Sequence, residues 1–305
     1  MRPLVSSRIV LAAVALVGAA LAGSPTHPEG WSVTLPRVDS DGLLAAPRAG
    51  DGPSVFAPTD RFMSLAASGA LAQEIRSQRP EPHEYYFTRG IYSDRRGGGL
   101  ASWGRRGSWA VDYPKADYQF MVVIKRLVGL DAFDGPNAVE LADPALRRYP
   151  FLYMLEVGGM ALNQAEIHGL RSYLDAGGFL VIDDFWGSWE WENFEYNIRR
   201  VLPGRQIVRL DLDHDLFKTF YDITEIKQVP GVRRGRSGGP TWENDGYTPY
   251  VLGIHDDQGR LMVVINWNTD LGDAWEWAED PYYPLEYSTF AYEMGANMIV
   301  YGMSH

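Results

Sequence analysis

The feature that most constrains the fold is an amphipathic helix pattern flanked by two short apolar runs. Apolar residues recur with helical spacing from 167 to 174, and the pair Gly177-Gly178 is typical of a helix end. The runs 151–155 and 179–182 are short and apolar, as expected of buried strands. A strand, a helix and a second strand joined by short links form a βαβ unit, whose right-handed crossover predicts two parallel strands.

The remaining periodicities extend this unit into an α/β domain. Asn163, with Glu166 three positions later, is a capping-box arrangement that predicts the start of the central helix. Residues 256–259 separate two apolar runs with a turn sequence that favours a hairpin. Further strands are predicted at 85–88, 138–141, 206–210, 249–254 and 261–265, and further helices at 61–78, 117–130, 190–201, 215–221 and 287–301.

Composition excludes several classes of function. The 305-residue chain is 46% hydrophobic and 22% charged, which predicts a packed core. It has no cysteine, so disulfides, thiolate metal sites and cysteine nucleophiles are excluded. Its net charge of −11 argues against nucleic acid as a partner and is compatible with sugars, cations or a basic partner.

The first 22 residues have the pattern of a secretory signal peptide. Arg2 and Arg8 precede an apolar stretch, residues 9–21, and Ala20-Leu21-Ala22 fits a cleavage site. We therefore expect an exported protein, periplasmic or extracellular, with no transmembrane span after signal removal. The alternative is an uncleaved N-terminal anchor that retains the protein at the membrane.

Four segments follow from these patterns. Residues 1–22 are the signal peptide, 23–60 a flexible linker rich in Gly, Pro and Ala, 61–83 a helical extension, and 84–305 the α/β domain. Within the domain, the arginine- and glycine-rich stretch from Arg89 to Gly107 predicts a solvated loop. The alternative, a loop that grips phosphate or carboxylate, lacks the strand and helix context of a P-loop.

Two adjacent carboxylates, Asp183 and Asp184, follow the apolar run 179–182. In open α/β sheets, ligands bind beyond the carboxyl ends of the strands. Neighbouring carboxylates repel, which raises one pKa and suits an acid/base pair. Side chains alternate along a strand, so one of the two faces the crevice, and the sequence leaves open which one. The alternative is that one caps the next helix and the other binds a loop backbone.

A second acidic stretch, residues 266–277, follows the predicted strand 261–265. Its oxygen-rich side chains suit a wall of the same crevice, or a hard cation such as Ca²⁺, although the spacing is not that of an EF-hand loop. We take Asp183, Asp184, Asp273 and Glu276 as candidate catalytic residues. We assign no metal ligand from the sequence, and the cofactor is unknown.

Tryptophans near these carboxylates suit sugar rings, which stack on aromatic faces. The alternative is that the tryptophans form core between helix and sheet. Asp112 and Asp117 can join the acidic site, or serve as turn and cap residues. The candidate ligand-binding residues are Trp186, Glu190, Trp191, Asp112, Asn266, Asp270, Trp275 and Trp277.

No familiar catalytic motif is present. His214 and His255 lie beside aspartates but show no HExxH spacing, and both are interpreted as structural. No G-x-S-x-G elbow and no G-x-G-x-x-G loop joins a predicted strand to a predicted helix, and the second of these absences argues against a classical nucleotide site.

Several motifs together resemble the DUF4159 family. They are Tyr113-Pro114, Ala116-Asp117, residues 149–154, 177–186, Glu190-Trp191, 200–203, 228–230, 270–277 and 301–305. The resemblance runs from about residue 85 and implies a three-layer αβα sandwich with a mostly parallel sheet, flavodoxin-like or class I glutamine-amidotransferase-like. Related amidotransferases present a cysteine at the turn after a strand, which here is Asp183-Asp184, so glutaminase chemistry is excluded.

The family has no established biochemical function, so the function rests on the residues. The first hypothesis is a module with an acidic, tryptophan-lined crevice that binds carbohydrate or another cell-envelope component. The second is a carboxylate-dependent glycan hydrolase, with Asp184 paired with Asp273 or Glu276. The third is a structural or assembly protein of the envelope, in which these motifs are core. The oligomeric state is unknown.

Overall fold

The computed structural model describes residues 83–95 and 107–305, which form a seven-stranded mixed sheet with helices on both faces. The order across the sheet is β2-β1-β3-β4-β7-β6-β5. Neighbouring strands are parallel from β2 through β1, β3 and β4 to β7. Strand β6 pairs antiparallel with β7, and β5 pairs antiparallel with β6. The strands are β1 (Thr88–Ile91), β2 (Asn137–Glu140), β3 (Phe151–Leu155), β4 (Phe179–Asp183), β5 (Ile207–Arg209), β6 (Tyr250–His255) and β7 (Leu261–Trp267).

Alternation along the central strands divides the interior into two cores, one on each face of the sheet. Phe151, Tyr153 and Leu155 of β3 belong to one core, and Leu152 and Met154 to the other. The first core includes residues of α1, α5 and α6, and the second includes residues of α2 and α3. This is the three-layer α/β arrangement that the sequence predicted. The helices are α1 (Lys115–Val128), α2 (Gln164–Asp175), α3 (Gly187–Val201), α4 (Val232–Ser237), α5 (Leu271–Glu276) and α6 (Leu285–Ser304).

The predicted βαβ unit is confirmed as β3-α2-β4. The two strands pair in parallel from Phe151 opposite Phe179 to Leu155 opposite Asp183. Helix α2 begins with the predicted capping box, in which the side chain of Asn163 accepts from the Glu166 amide and the Glu166 side chain accepts from the Asn163 amide. The predicted hairpin is also confirmed, since β6 and β7 pair antiparallel across the turn that follows His255.

Two expectations at the start of the domain are wrong. The first strand lies at Thr88–Ile91 rather than 85–88, so Arg89 belongs to a buried strand and not to a solvated loop. Helix α1 begins at Lys115, and Asp117 does not cap it. Both residues are almost fully buried, and Nη2 of Arg89 lies 2.7 Å from Oδ1 of Asp117. A long-range ion pair therefore replaces the two local roles.

Several sequence predictions fall outside the described residues. These are the signal peptide at 1–22, the linker at 23–60, most of the helical extension at 61–83, and residues 96–106 of the Arg-Gly stretch. Of the helices in the described part of the chain, none combines the length and apolar character needed to cross a bilayer.

Candidate functional site

The candidate site lies where three adjacent parallel strands end. Strands β3, β4 and β7 run in the same direction, so their carboxyl ends meet at one edge of the sheet. Asp184 comes directly after β4, and residues 268–276 come directly after β7. This edge is where open α/β sheets bind ligands.

Carboxylates from three chain segments converge at this edge. Oxygens of Asp112, Asp184 and Asp270 lie within 4.8 Å of one another, and so do oxygens of Asp112, Asp273 and Glu276. Asp112 belongs to both groups, so it connects the turn after β4 with helix α5. We call these five residues the acidic cluster. Three of the four residues predicted as catalytic belong to it.

Asp183, the fourth, has a different position. It is fully buried, and its Oδ2 accepts hydrogen bonds from the Tyr153 hydroxyl at 2.6 Å and from the amides of Leu271 and Gly272 at 3.0 and 3.2 Å. Burial raises the pKa of Asp183 to about 7 despite these donors. Asp183 thus ties β4 to the start of α5, while Asp184 faces the acidic cluster.

Asp184 occupies a strained turn between β4 and α3. Its φ is +47°, in the left-handed region that only a small share of non-glycine residues adopt. Its Oδ1 accepts a hydrogen bond from the indole nitrogen of Trp186 at 2.9 Å. Burial first, and then the carboxylates of Glu156, Asp112 and Asp183, raise the pKa of Asp184 well above its usual value.

Asp270 and Asp273 are placed by the first turn of α5. Asp270 is the N-cap residue, and its Oδ1 accepts from the Asp273 amide at 2.8 Å. Asp273 accepts from the amide of Val232 at 2.6 Å and from the Trp277 indole at 3.1 Å. Burial, followed by Asp184 and Asp273, raises the pKa of Asp270.

The other two members of the cluster differ in their access to positive charge. Nζ of Lys115 lies 3.7 Å from Oε1 of Glu276, and burial nevertheless raises the pKa of Glu276. The pKa of Asp112 is raised by burial and then by Asp273 and Glu276. Arg89 offsets part of this effect, but its guanidinium is already paired with Asp117. Asp117 itself therefore stays outside the cluster.

The predicted aromatic ligands are less available than the carboxylates. Trp275 is 1% exposed, and its ring packs 4.1 Å from that of Phe120, which leaves no face for a ligand. Trp186 is also buried, and its indole supports Asp184. These two placements correct the expectation of stacking surfaces at Trp186 and Trp275.

Trp191 and Trp277 are half-buried. Trp191 lies against Trp267 with ring centroids 4.6 Å apart, and it donates to Glu195. Nζ of Lys115 lies 3.6 Å from the ring centroid of Trp277. Each of these two tryptophans therefore already contacts another side chain of the protein.

Two predicted polar ligands hold the framework of the site. Asn266 is buried and donates to the carbonyl of Ile182 at 3.2 Å, which joins β7 to β4. Oε2 of Glu190 accepts from the Trp186 amide at 2.6 Å at the start of α3. Both therefore position backbone beside the acidic cluster.

Sequence reasoning missed parts of the rim. Glu156 follows β3 directly, and its amide donates to the Asp184 carbonyl at 2.9 Å. The segment before β6 also closes on the site, because the Ser188 amide and hydroxyl both donate to Asp245, which stands beside exposed Trp242 and Tyr247. Glu156 could have been predicted, because it follows a strand that is a parallel neighbour of β4. No local sequence pattern predicts that residues 242–247 lie beside the site.

Together, the fold and this edge define a three-layer α/β domain with a carboxylate cluster beyond its central strands. The chain belongs to the family described as Domain of unknown function (DUF4159), whose sequence model matches residues 100–303. The match includes the described residues 107–303 and agrees with the resemblance seen in the sequence. No curated protein matches the chain significantly.

Proposed function

We propose that this protein is an exported ligand-binding module that takes a neutral or amino-sugar glycan of the cell envelope at the acidic cluster. The observation that carries the proposal is the convergence of five carboxylates beyond the ends of β3, β4 and β7. Carboxylate oxygens accept hydrogen bonds from sugar hydroxyls and pair with ammonium groups, whereas they repel uronic acids.

Exposed aromatic side chains near the cluster support a sugar ligand. Trp189, in the first turn of the helix that follows Asp184, is 60% exposed. Trp242 and Tyr247 are also exposed, and their rings pack edge to face at 5.6 Å. The bond between Ser188 and Asp245 brings this segment to the start of α3. The Arg95 guanidinium lies over one face of Trp189, 5.8 Å from the ring centroid, so we assign the sugar to the other face of Trp189 and to the exposed rings of Trp242 and Tyr247.

The test is calorimetric titration with hexamers of glucosamine, N-acetylglucosamine and galacturonic acid. We expect saturable binding of the first two and none of the third. Trp189→Ala should weaken binding about tenfold, equivalent to 1.4 kcal/mol. Asp184→Asn should weaken the glucosamine oligomer more than the neutral one, because it removes a charge and retains an acceptor.

Tyr196→Ala is the matched control, because Tyr196 lies on the same helix seven residues further on and is 62% exposed. At 1.5 Å per residue it is about 10 Å further from the cluster. Equal losses in the two aromatic variants, or tightest binding to galacturonate, would contradict the proposal. Export is tested separately by N-terminal sequencing of the secreted protein, with cleavage expected after Ala22.

The glycan hydrolase and structural hypotheses remain predictions, and the same titrations extend to them. Release of reducing ends from a bound hexamer, lost in Asp184→Asn, would indicate hydrolysis. Failure of every hexamer to bind wild type would instead favour a structural role.

A further inference from the structure

We propose that Asp112, Asp184 and Asp270 form a binding site for a divalent cation of the calcium class. This inference concerns the metal alone and does not require a glycan ligand. Three carboxylate groups, with no thiolate or imidazole among them, are the ligand chemistry of a hard cation.

The spacing of the three carboxylates suits one central ion. Their nearest oxygens all lie within 4.8 Å of one another. Two oxygens on opposite sides of Ca²⁺ stand at most about 5 Å apart, because each Ca–O distance is about 2.3–2.6 Å. For Mg²⁺ the corresponding limit is about 4 Å, so any separation up to 4.8 Å is compatible with Ca²⁺, whereas Mg²⁺ requires one below about 4 Å.

A buried carboxylate oxygen without a hydrogen-bond donor supports the cation site independently of the spacing. Oδ2 of Asp112 is inaccessible to solvent and accepts no hydrogen bond within the described part of the chain. It points into the cluster, since it and Oδ1 of Asp270 lie 3.1 and 3.5 Å from where a β-carbon on Gly272 would stand. An unpaired buried carboxylate oxygen costs free energy, and a cation supplies the missing partner.

The two groups of carboxylates in the acidic cluster differ in their contact with lysine and arginine side chains. Lys115 lies beside Glu276, in the group of Asp112, Asp273 and Glu276, and partly neutralises it. Within residues 83–95 and 107–305, neither lysine nor arginine forms an ion pair with Asp112, Asp184 or Asp270. The first group is thus the stronger candidate for the ion.

The elements that supply the ligands are anchored without the cation. The Asp112 carbonyl accepts from the Ala116 amide, and Arg89 donates to the carbonyl of the neighbouring Val111 at 2.6 Å. Asp270 caps α5, and the Trp186 indole fixes Asp184. The backbone is therefore preorganised, and binding has little ordering cost.

The experiment is calorimetric titration of chelator-treated, full-length protein with CaCl₂, and in separate runs with MgCl₂ and MnCl₂, together with thermal unfolding. We expect saturable Ca²⁺ binding, tighter than that of Mg²⁺. We expect Tm to rise by about 5–10 °C when free Ca²⁺ is about 100 times its Kd.

Asp270→Asn and Asp184→Asn are the test variants. Asparagine keeps the N-cap at 270, so the protein should fold, while loss of one charge should weaken Ca²⁺ binding at least tenfold. In the absence of metal, both variants should be as stable as wild type or more so, because a repulsive charge has been removed. Asp257→Asn is the charge control, since Asp257 is exposed in the turn before β7, at the opposite end of that strand.

Binding lost equally in Asp257→Asn, or retained in both test variants, would overturn the proposal. So would a wild-type protein that binds none of the three ions. Because no glycan is present in these titrations, failure of the metal site leaves the glycan proposal standing, and the reverse also holds.

Discussion

The ion pair between Arg89 and Asp117 should contribute strongly to stability because it is sealed from water. Arg89 is 1% exposed and Asp117 4% exposed, and Nε of Arg89 donates to Oδ1 of Asp117 at 2.8 Å. Nη1 of Arg89 also donates to the carbonyls of Trp109 and Val111 at 3.2 and 2.6 Å. The pair thus joins β1 to α1 and holds the segment that presents Asp112.

Removal of either partner alone leaves the other charge buried. Loss of one member of a buried pair typically costs about 3–5 kcal/mol. We therefore expect Arg89→Met and Asp117→Asn each to lower the free energy of unfolding by that amount. At about 2–4 °C per kcal/mol for a domain of this size, Tm should fall by about 6–20 °C.

The double variant separates a pair from two independent contributions. With both charges absent, no buried charge is left unpaired. Arg89→Met/Asp117→Asn should therefore be no less stable than the less stable of the two single variants. The measurement is urea unfolding followed by tryptophan fluorescence. Additive losses, or single-variant losses of less than about 1 kcal/mol as for an exposed pair, would refute the reasoning.

Three further variants test local packing, hydrogen bonding and titration. Gly169→Ala should lower the free energy of unfolding in urea by about 1–3 kcal/mol, because a β-carbon would stand 1.9 Å from the Leu141 carbonyl oxygen. The control is His168→Ala, at the neighbouring exposed residue. A gain of about 1 kcal/mol, which helix propensity alone favours, would contradict this packing. Tyr153→Phe should cost about 1.5–3 kcal/mol in the same assay, since it removes the donor to buried Asp183, and a loss near zero would mean that this bond is not formed. Burial, and then His255, lower the pKa of His214 below 6.5, and the neutral ring accepts a hydrogen bond from the Leu216 amide, so this stabilisation is present above pH 6.5 and is lost as the pH falls from there toward the lowered pKa. We therefore expect Tm to fall more between pH 7.5 and pH 5.5 in wild type than in His214→Asn. Equal falls would refute the assignment.

The parts of the fold that the sequence predicted correctly are those set by local patterns. The β3-α2-β4 unit follows from the capping box, from helical spacing and from the glycine pair, all within 33 residues of chain. The turn between β6 and β7 is likewise local. Because each signal lies inside the element it defines, no distant contact was needed to recognise it.

The errors arise where a distant partner decides the outcome. Arg89 resembles a loop residue in its arginine- and glycine-rich context, yet Asp117, 28 positions later, allows it to lie within a buried strand. Asp183 and Asp184 differ in role because Tyr153 and α5 surround only the first of them. Which tryptophans are exposed depends on packing between helices, as the contact of Trp275 with Phe120 illustrates.

The position of the candidate site follows from topology, and the three strands that end there share one backbone feature. The residue directly after each of β3, β4 and β7 is a non-glycine residue with positive φ: Glu156 at +53°, Asp184 at +47° and Asn268 at +62°. Each such residue costs on the order of 1 kcal/mol or more. The three turns are tied together, since the Glu156 amide donates to the Asp184 carbonyl and the Asn268 amide donates to the Phe185 carbonyl.

Glycine would relieve this strain, but it would remove the polar side chains from the end of each strand. Asn268 uses its side chain to accept from the Gly187 amide and to donate to the Thr248 carbonyl, so its strain is offset by structural hydrogen bonds. Within residues 83–95 and 107–305, the Asp184 side chain accepts only from the Trp186 indole and faces other carboxylates, so its conformation and its charge are both unfavourable. Structural hydrogen bonding thus accounts for Asn268 but not for Asp184, and the cation that we propose at Asp184 would offset both its charge and its strain.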